Sequence, residues 1–336
     1  MGKATANDKL KARGDTAALP VIVIAGATAS GKSALATELA LEAGGTVINA
    51  DSMQVYRDLP ILTAQPDAAA LVAVPHRLYG ILALDDPATA ARWAEMAAVE
   101  IRAAWAEGRP PFLVGGTGLY LRALIDGFAP IPEIAPRHRQ AAQALLAERG
   151  AAGLHARLAE KDPETAAKLR PSDSQRLMRA WEVLSATGKP LAWWQAQPST
   201  SPLAVVPLSF VTAPARDQLY AACDDRLITM VARGAVEEVA AARRGYPNAD
   251  QEQAGFKALG FRELARHFDG DLSLEEAVAA AQQATRNYAK RQGTWFRRQL
   301  PGAIFLAPDR EAMKFSQSSL AAIRHNIRDF LLTHRK

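Results

Sequence analysis

The chain has 336 residues, 49% of them hydrophobic and 22% charged, with a formal net charge of +5. This composition supplies a core for one large domain or two smaller ones, and the single cysteine, Cys223, excludes a disulfide framework and a multi-cysteine zinc site. No apolar run approaches the roughly 18 residues of a membrane helix. The opening MGKATANDKLKARGDTAALP lacks the apolar stretch of a secretory signal, so residues 1–19 are expected to be a disordered tail on a cytoplasmic protein.

In chain order, Val21–Gly26 reads as a short buried strand, rich in β-branched residues and bounded by Pro20 and Gly26. Ser33–Glu42 reads as the helix after it. TVINAD is a second strand ending at Asp51, RLYGIL a third and FLVGG a fourth. Before the fourth, ATAARWAEMAAVEIRAAWAEG places Trp93, Met96, Ile101 and Trp105 at roughly helical spacing and stops at Gly108. Strands alternating with helices imply a parallel sheet covered on both faces, with ligands bound beyond the carboxyl ends of the strands. The proline-rich PIPEIAPRHRQ then introduces a helical stretch from about Gln140 to Gln197. Strand texture returns at AVVPLSFVTA, and the last third is again helical through EEAVAAAQQATRNYAKRQGTWFRRQL.

Between the first strand and helix lies Gly26-Ala27-Thr28-Ala29-Ser30-Gly31-Lys32-Ser33, the spacing G-x-x-x-x-G-K-[ST]. Its glycines let backbone N–H groups approach a polyphosphate, the helix N-terminus favours negative charge, Lys32 adds a cation and Ser33 offers a hydroxyl to Mg²⁺. The pattern by itself suggests ATP. A nucleotide hydrolase of this kind usually carries an acidic residue at the end of an apolar strand to organise Mg²⁺ and water, whereas PPFLVGGTG ends in glycines and a threonine. Asp51 is the nearby strand-terminal acid, and no Asn-Lys-x-Asp motif for guanine is present. Transfer chemistry therefore fits better than a hydrolytic motor or switch. The expected architecture is α/β: a P-loop NTPase-like parallel sheet flanked by helices over 20–128 and 203–310, with a helical C-terminal part. A helical insertion spans 129–202 and a C-terminal helix 311–336.

The segments GATASGKS, INADSMQVYRDLPILTAQP, PHRLYGI, FLVGGTGLYLRALIDG, DSQRLMRAWEVLSATGKPL, KALGFREL and ATRNYAKRQGTWFRRQL, in this order from about Pro20 to Leu300, resemble the successive signatures of the bacterial tRNA dimethylallyltransferases, also called tRNA isopentenyltransferases. The resemblance implies transfer of a dimethylallyl group from dimethylallyl diphosphate to the exocyclic N6 amine of the adenosine 3′ of the anticodon, assisted by Mg²⁺, with diphosphate released. The phosphate loop would then hold an isoprenoid diphosphate. Asp51 matches the family's catalytic acid, where a carboxylate accepting the amine N–H would help a poor nucleophile and take its proton. Read without the family, Asp51 serves equally as a cap after a strand. Thr117 matches a threonine at the reacting end of the diphosphate, and Arg226 a diphosphate-binding arginine whose fork suits that task. Ala222 stands where the family often carries a second arginine. Leu62 and Gln65 stand where its IGTAKP segment has glycine and lysine.

For RNA, the resemblance implies contacts from Ser52, Met53 and Gln54 to a flipped adenine, and from Arg139, Gln175, Arg176, Arg179, Lys257 and Arg262, with the insertion as a tRNA-binding element. A basic helix near the end adds Arg286, Lys290, Arg291, Arg297 and Arg298 to bind phosphates. Trp295 and Phe296 among them are expected to be core rather than stacking platforms, and His76 to be structural. The expected partners are the tRNA anticodon stem-loop and the prenyl donor, with no membrane and a monomeric chain. Three alternatives stand beside this reading: a small-molecule P-loop kinase, an isopentenyltransferase acting on free adenine nucleotides, and an RNA-binding module without activity.

Overall fold

The computed structural model describes residues 18–250, 253–300, 302–309 and 314–334. The expected tail, up to residue 17, lies outside them. The chain divides into two compact units, one formed by Met1–Ile125 with Pro202–Lys336 and the other by Asp126–Ser201.

The first unit opens with β1 (Leu19–Gly26), α1 (Lys32–Ala43), β2 (Thr46–Asn49), α2 (Ala68–Ala73), β3 (His76–Arg77), α3 (Ala90–Ala106), β4 (Pro111–Gly115) and α4 (Gly118–Ile125). The second unit holds α5 (Pro136–Lys161), α6 (Pro163–Lys168), α7 (Ser174–Thr187) and α8 (Leu191–Gln195). The chain then returns to the first unit with β5 (Val205–Thr212), α9 (Arg216–Ala232), α10 (Ala235–Gly245), α11 (Phe261–Phe268), α12 (Leu274–Gln299), β6 (Ile304–Leu306) and α13 (Gln317–His334).

The six strands form one parallel sheet in the order β3-β2-β4-β1-β5-β6. Its register matters for function. Ala25 pairs with Gly115, Gly26 with Thr212, and Asn49 with Val114, so the carboxyl ends of β1, β2, β4 and β5 finish at one level. Central strands of such a sheet are covered on both faces and read as continuous apolar runs. Accordingly Val21, Ile22, Val23 and Ile24 are fully buried, and each contributes about 1.5–3 kcal/mol by leaving water. On one face α1 packs Leu35, Ala36, Leu39 and Ala40, a helical stripe, against Ile22, Ile24 and Phe112. On α13, Leu320, Ile323 and Ile327 follow the same spacing and join this cluster.

The helical unit has its own small core of Leu154, Leu158, Ala166, Leu177 and Ala180. Its longest helix breaks at Gly150, where φ is 66°. Among the described residues no helix is long and apolar enough to cross a membrane.

Two local expectations need correction. RLYGIL is not a continuous strand: β3 stops at Arg77 because Leu78 takes a left-handed φ of 63°, which ends extended pairing. Only an isolated bridge from Tyr56 to Leu82 follows. The last third also contains β6, a three-residue edge strand beside β5 that is not among the expected strands and lies between the helix expected to end at Leu300 and the C-terminal helix expected over 311–336.

Candidate active site

The phosphate loop runs from the end of β1 into the first turn of α1. It is held by side chains from outside it. Ser30 Oγ hydrogen-bonds with Thr212 Oγ1 at the end of β5, and Thr212 also donates to the carbonyl of Ala25. Lys32 Nζ donates to the carbonyl of Ala27 at 3.2 Å. Ala29 sits at φ 60°, an uncommon conformation for a residue with a side chain. The start of α1 carries no side-chain cap, and the first N–H groups of a helix, having no partners within it, suit an anion.

Asp51 lies two residues beyond β2 and is positioned by its neighbours. Asn49 Oδ1 accepts the Asp51 N–H at 2.8 Å, and Asn49 Nδ2 donates to the carbonyls of Asp51 and Leu78, both at 3.0 Å. Asp51 Oδ1 accepts the N–H of Met53 at 3.0 Å, so one oxygen caps the following turn. Oδ2 makes no hydrogen bond among the described residues. Thr117 stands beside this turn: its Oγ1 accepts the Ser52 N–H at 2.9 Å and donates to Ser52 Oγ at 3.1 Å, and its own N–H donates to Ala50 at 3.2 Å. This close approach of two strand ends requires Gly115, since a Cβ there would lie 2.1 Å from the carbonyl of Ala50. Tyr288 of α12 lines the neighbouring pocket, and burial pushes its phenol above the ordinary range, so it stays neutral.

Lys32, Ser33, Asp51, Thr28 and Arg226 line one pocket of about 640 Å³, part of it open to solvent. Lys32 is buried and Arg226 partly buried, and neither has a carboxylate partner in an ion pair among the described residues. Arg226 Nη2 reaches only the carbonyl of Thr63, at 3.4 Å. Burial lowers the Lys32 pKa to about 8, with Asp51 opposing the shift and Arg226 adding to it. Burial likewise pulls Arg226 down, again opposed by Asp51. Cys223 lines the same pocket, but burial pushes its thiol up to about 11, so it is neutral and offsets none of this charge. The rest of the lining includes the apolar Met53, Leu62, Leu227, Met230 and Leu259.

The loop carrying Leu62 is itself clamped. Glu238 of α10 accepts the N–H of Ile61 at 2.7 Å and of Leu62 at 2.8 Å. Gln54 Nε2 donates to the carbonyls of Thr63 and Ala64 at 3.0 and 2.8 Å. Gln65 donates to the carbonyl of Tyr56 at 2.7 Å.

The first unit thus brings together Gly26 to Ser33, Asp51 to Gln54, Thr117 and Arg226. Lys257, after the short helical turn Gly255–Lys257, and Arg262 on α11 are exposed in that unit. Arg139 on α5 and Gln175, Arg176 and Arg179 on α7 are exposed in the helical unit. Arg176 pairs with Asp173 and Arg179 with Glu182 on the same helix. On α12, Lys290, Arg291, Arg297 and Arg298 are exposed, whereas Arg286 is drawn to Asp224 of α9. Phe296 is core, and Trp295 packs against Gly118, where a Cβ would come within 2.2 Å of its ring. His76 hydrogen-bonds its own chain at Val74 and has no metal partners among the described residues.

Sequence reading did not find Asn49, Glu238 or Gln292. Gln292 accepts the N–H of Thr28 at 2.8 Å and donates to the carbonyl of Gly116 at 2.9 Å. Its one signal is position: Thr285, Tyr288 and Gln292 recur at i, i+3 and i+7, a single face of α12.

The IPP transferase family model matches residues 54–299, and the isopentenyl transferase model matches residues 19–81. A tRNA dimethylallyltransferase of Paramagnetospirillum magneticum is 50% identical over 316 residues, covering 94% of this chain and 98% of the relative. One from Rhodospirillum centenum is 51% identical over 310 residues, covering 90% and 98%. Among solved structures, the full-length tRNA isopentenylpyrophosphate transferase of Bacillus halodurans matches with a TM-score of 0.66 at 30% identity, over 94% of this chain and 97% of that one. A eukaryotic dimethylallyltransferase acting on tRNA matches with a TM-score of 0.77 at 27% identity, over 95% and 81%.

Proposed function

The chain belongs to the IPP transferase family and is a prenyltransferase acting on tRNA, and from this premise we propose that its pocket binds dimethylallyl diphosphate and that Asp51 directs transfer to the N6 amine of the adenosine 3′ of the anticodon. The observation that carries the reading is the pairing of opposites in one pocket. The buried Lys32 and the partly buried Arg226 lack a carboxylate partner in an ion pair among the described residues, and Leu62, Leu227, Met230 and Leu259 line the same pocket. An anion with a short hydrocarbon tail satisfies both halves.

The chemistry follows from the positions. The phosphate loop and Arg226 hold the diphosphate and stabilise the charge that develops as the allylic C–O bond breaks, and such preorganised electrostatics supply the largest share of many rate enhancements. The amine nitrogen forms the new C–N bond. Asp51 Oδ2 accepts the amine N–H and takes its proton, while Oδ1 stays on the Met53 turn. We assign Thr117, which is fixed by Ser52 beside Asp51, to the junction between donor and acceptor. The apolar lining limits the water that could otherwise trap the allyl group.

The residues fit Mg²⁺ as an ion shared with the substrate. No cluster of three or more His, Cys, Asp or Glu is present among the described residues, and Mg²⁺ is commonly held by few protein ligands together with substrate phosphates. Ser33, exposed to the pocket, would contribute its hydroxyl. When bound, the ion neutralises diphosphate charge.

We assign tRNA contacts to Ser52 and Met53, to the pocket-lining Gln54, and to the exposed Arg139, Gln175, Arg176, Arg179, Lys257 and Arg262. The proposal includes a monomeric enzyme working in the cytoplasm.

Competition for the pocket tests the reading. Dimethylallyl diphosphate should displace a bound diphosphate probe and ATP should not, and tRNA rather than AMP should accept the prenyl group. Saturation by ATP with no donor binding would favour a kinase. Preference for AMP would favour the free-nucleotide enzyme.

A further inference from the structure

Gln292 places both ends of its amide on backbone groups of the two loops that make the site. Oε1 accepts from Thr28 in the phosphate loop, and Nε2 donates to the carbonyl of Gly116, the residue before Thr117. These partners lie 264 and 176 residues away in sequence. The side chain is 5% exposed, and the absence of a side chain at Gly116 admits it, since a Cβ there would sit 2.2 Å from Nε2. The amide has one workable orientation. An N–H must meet an acceptor on one side and a C=O a donor on the other, so a flip would lose both bonds. A buried amide with both halves satisfied is a rigid spacer.

We propose that Gln292 is a positioning residue of the transfer reaction: by clamping the phosphate loop to the Thr117 loop, it sets the separation between the departing diphosphate and the Asp51–Thr117 pair. The proposal rests on the donor reading given above. Gln292 touches no reacting atom; it acts through Thr28 and Gly116. A shift of about 1 Å between reacting groups can cost about 100-fold in rate, so a spacer of this kind has a measurable effect. The same helix presents Lys290 and Arg291 to solvent, and the clamp is therefore separable from RNA binding.

The test uses the full chain with Gln292→Met, which keeps the length and removes both hydrogen bonds, and Gln292→Glu. Four quantities are measured: the Kd for inorganic diphosphate by calorimetry, kcat, the KM for dimethylallyl diphosphate, and the Kd for an anticodon stem-loop RNA. Gln292→Met should bind diphosphate at least about tenfold more weakly and turn over at least about tenfold more slowly, with RNA affinity within about twofold of the wild type. Protonated glutamic acid can copy both bonds and ionised glutamate cannot, so kcat of Gln292→Glu relative to wild type should rise as pH falls. Diphosphate affinity and kcat of Gln292→Met both near wild type would overturn the proposal. Should that variant not fold, a flat relative pH profile for Gln292→Glu would do so. A wild-type protein that transfers no prenyl group would refute the donor reading, while the diphosphate affinities would still decide whether the clamp exists.

Discussion

Asn49 holds Asp51 at both ends of its backbone, accepting its N–H at 2.8 Å and donating to its carbonyl at 3.0 Å. The second Nδ2 proton goes to Leu78 at 3.0 Å, whose left-handed φ turns that carbonyl toward the site. Asn49 is fully buried, and its own carbonyl accepts from the Trp93 indole at 2.8 Å. Asp51 is therefore presented by a rigid strand end. Asn49→Ala removes this support and should lower kcat at least about tenfold, because small misplacements of a catalytic group are costly. RNA affinity should change little. Steady-state kinetics beside an RNA-binding titration check this, and an unchanged kcat would show that Asp51 needs no such brace.

Lys32 makes diphosphate binding depend on pH. Its pKa in the free pocket is lowered to about 8, chiefly by burial. A bound anion favours the charged lysine and raises that value. Below about pH 8 the lysine is already protonated and binding is unaffected. Above it, binding must take up a proton, so affinity falls by up to about tenfold per pH unit. Lys32→Arg remains charged throughout and should lose this slope. Calorimetry with inorganic diphosphate across the range, in buffers of different ionisation enthalpy, reads both the affinity and the proton uptake.

Glu238 stabilises the loop that carries Leu62. Its two carboxylate oxygens accept the N–H groups of Ile61 and Leu62, while burial raises its pKa against the opposing effect of those bonds. Glu238→Ala leaves two backbone donors without partners and should cost about 1–3 kcal/mol of stability. Glu238→Gln retains one acceptor and should recover part of it. Denaturant unfolding of the three proteins measures the difference. The donor KM should rise in the alanine variant as well, because Leu62 and the Thr63 carbonyl both belong to the pocket.

RNA affinity should fall with salt through counterion release. The exposed Lys290 and Arg291 of α12 are expected to contribute directly. Replacing both with alanine should reduce the slope of log K against log salt by about 1 to 2 and leave diphosphate affinity unchanged. A slope equal to that of the wild type would remove these two residues from the RNA surface.

Much of this site is legible in the amino-acid sequence alone. The phosphate loop is local, because a strand, a glycine-rich turn and a helix start follow one another without interruption. Asp51 and Thr117 are legible as residues just beyond buried strands, and the parallel register then brings them together. What escapes is non-local or defined by φ. Gln292 shares a helix face with Thr285 and Tyr288, but that periodicity does not name Thr28 and Gly116 as its partners. Leu78 ends β3 through a backbone conformation that its apolar, strand-like identity does not announce. Glu238 reads as an ordinary helix-surface acid, and the partners that make it structural lie 177 and 176 residues away. β6, at the sheet edge, has exposed Ile304 and Phe305 and so lacks the buried apolar signature of the central strands.

Mass spectrometry of an unmodified anticodon stem-loop RNA, incubated with the purified protein, dimethylallyl diphosphate and Mg²⁺, tests the central claim most directly. The wild-type protein should add the mass of one dimethylallyl group to the adenosine 3′ of the anticodon. Asp51→Ala should bind the RNA normally and transfer the group about 100-fold more slowly or worse, the scale of a general-base contribution. An RNA left unmodified by the wild type, or near-normal transfer by Asp51→Ala, would contradict that claim.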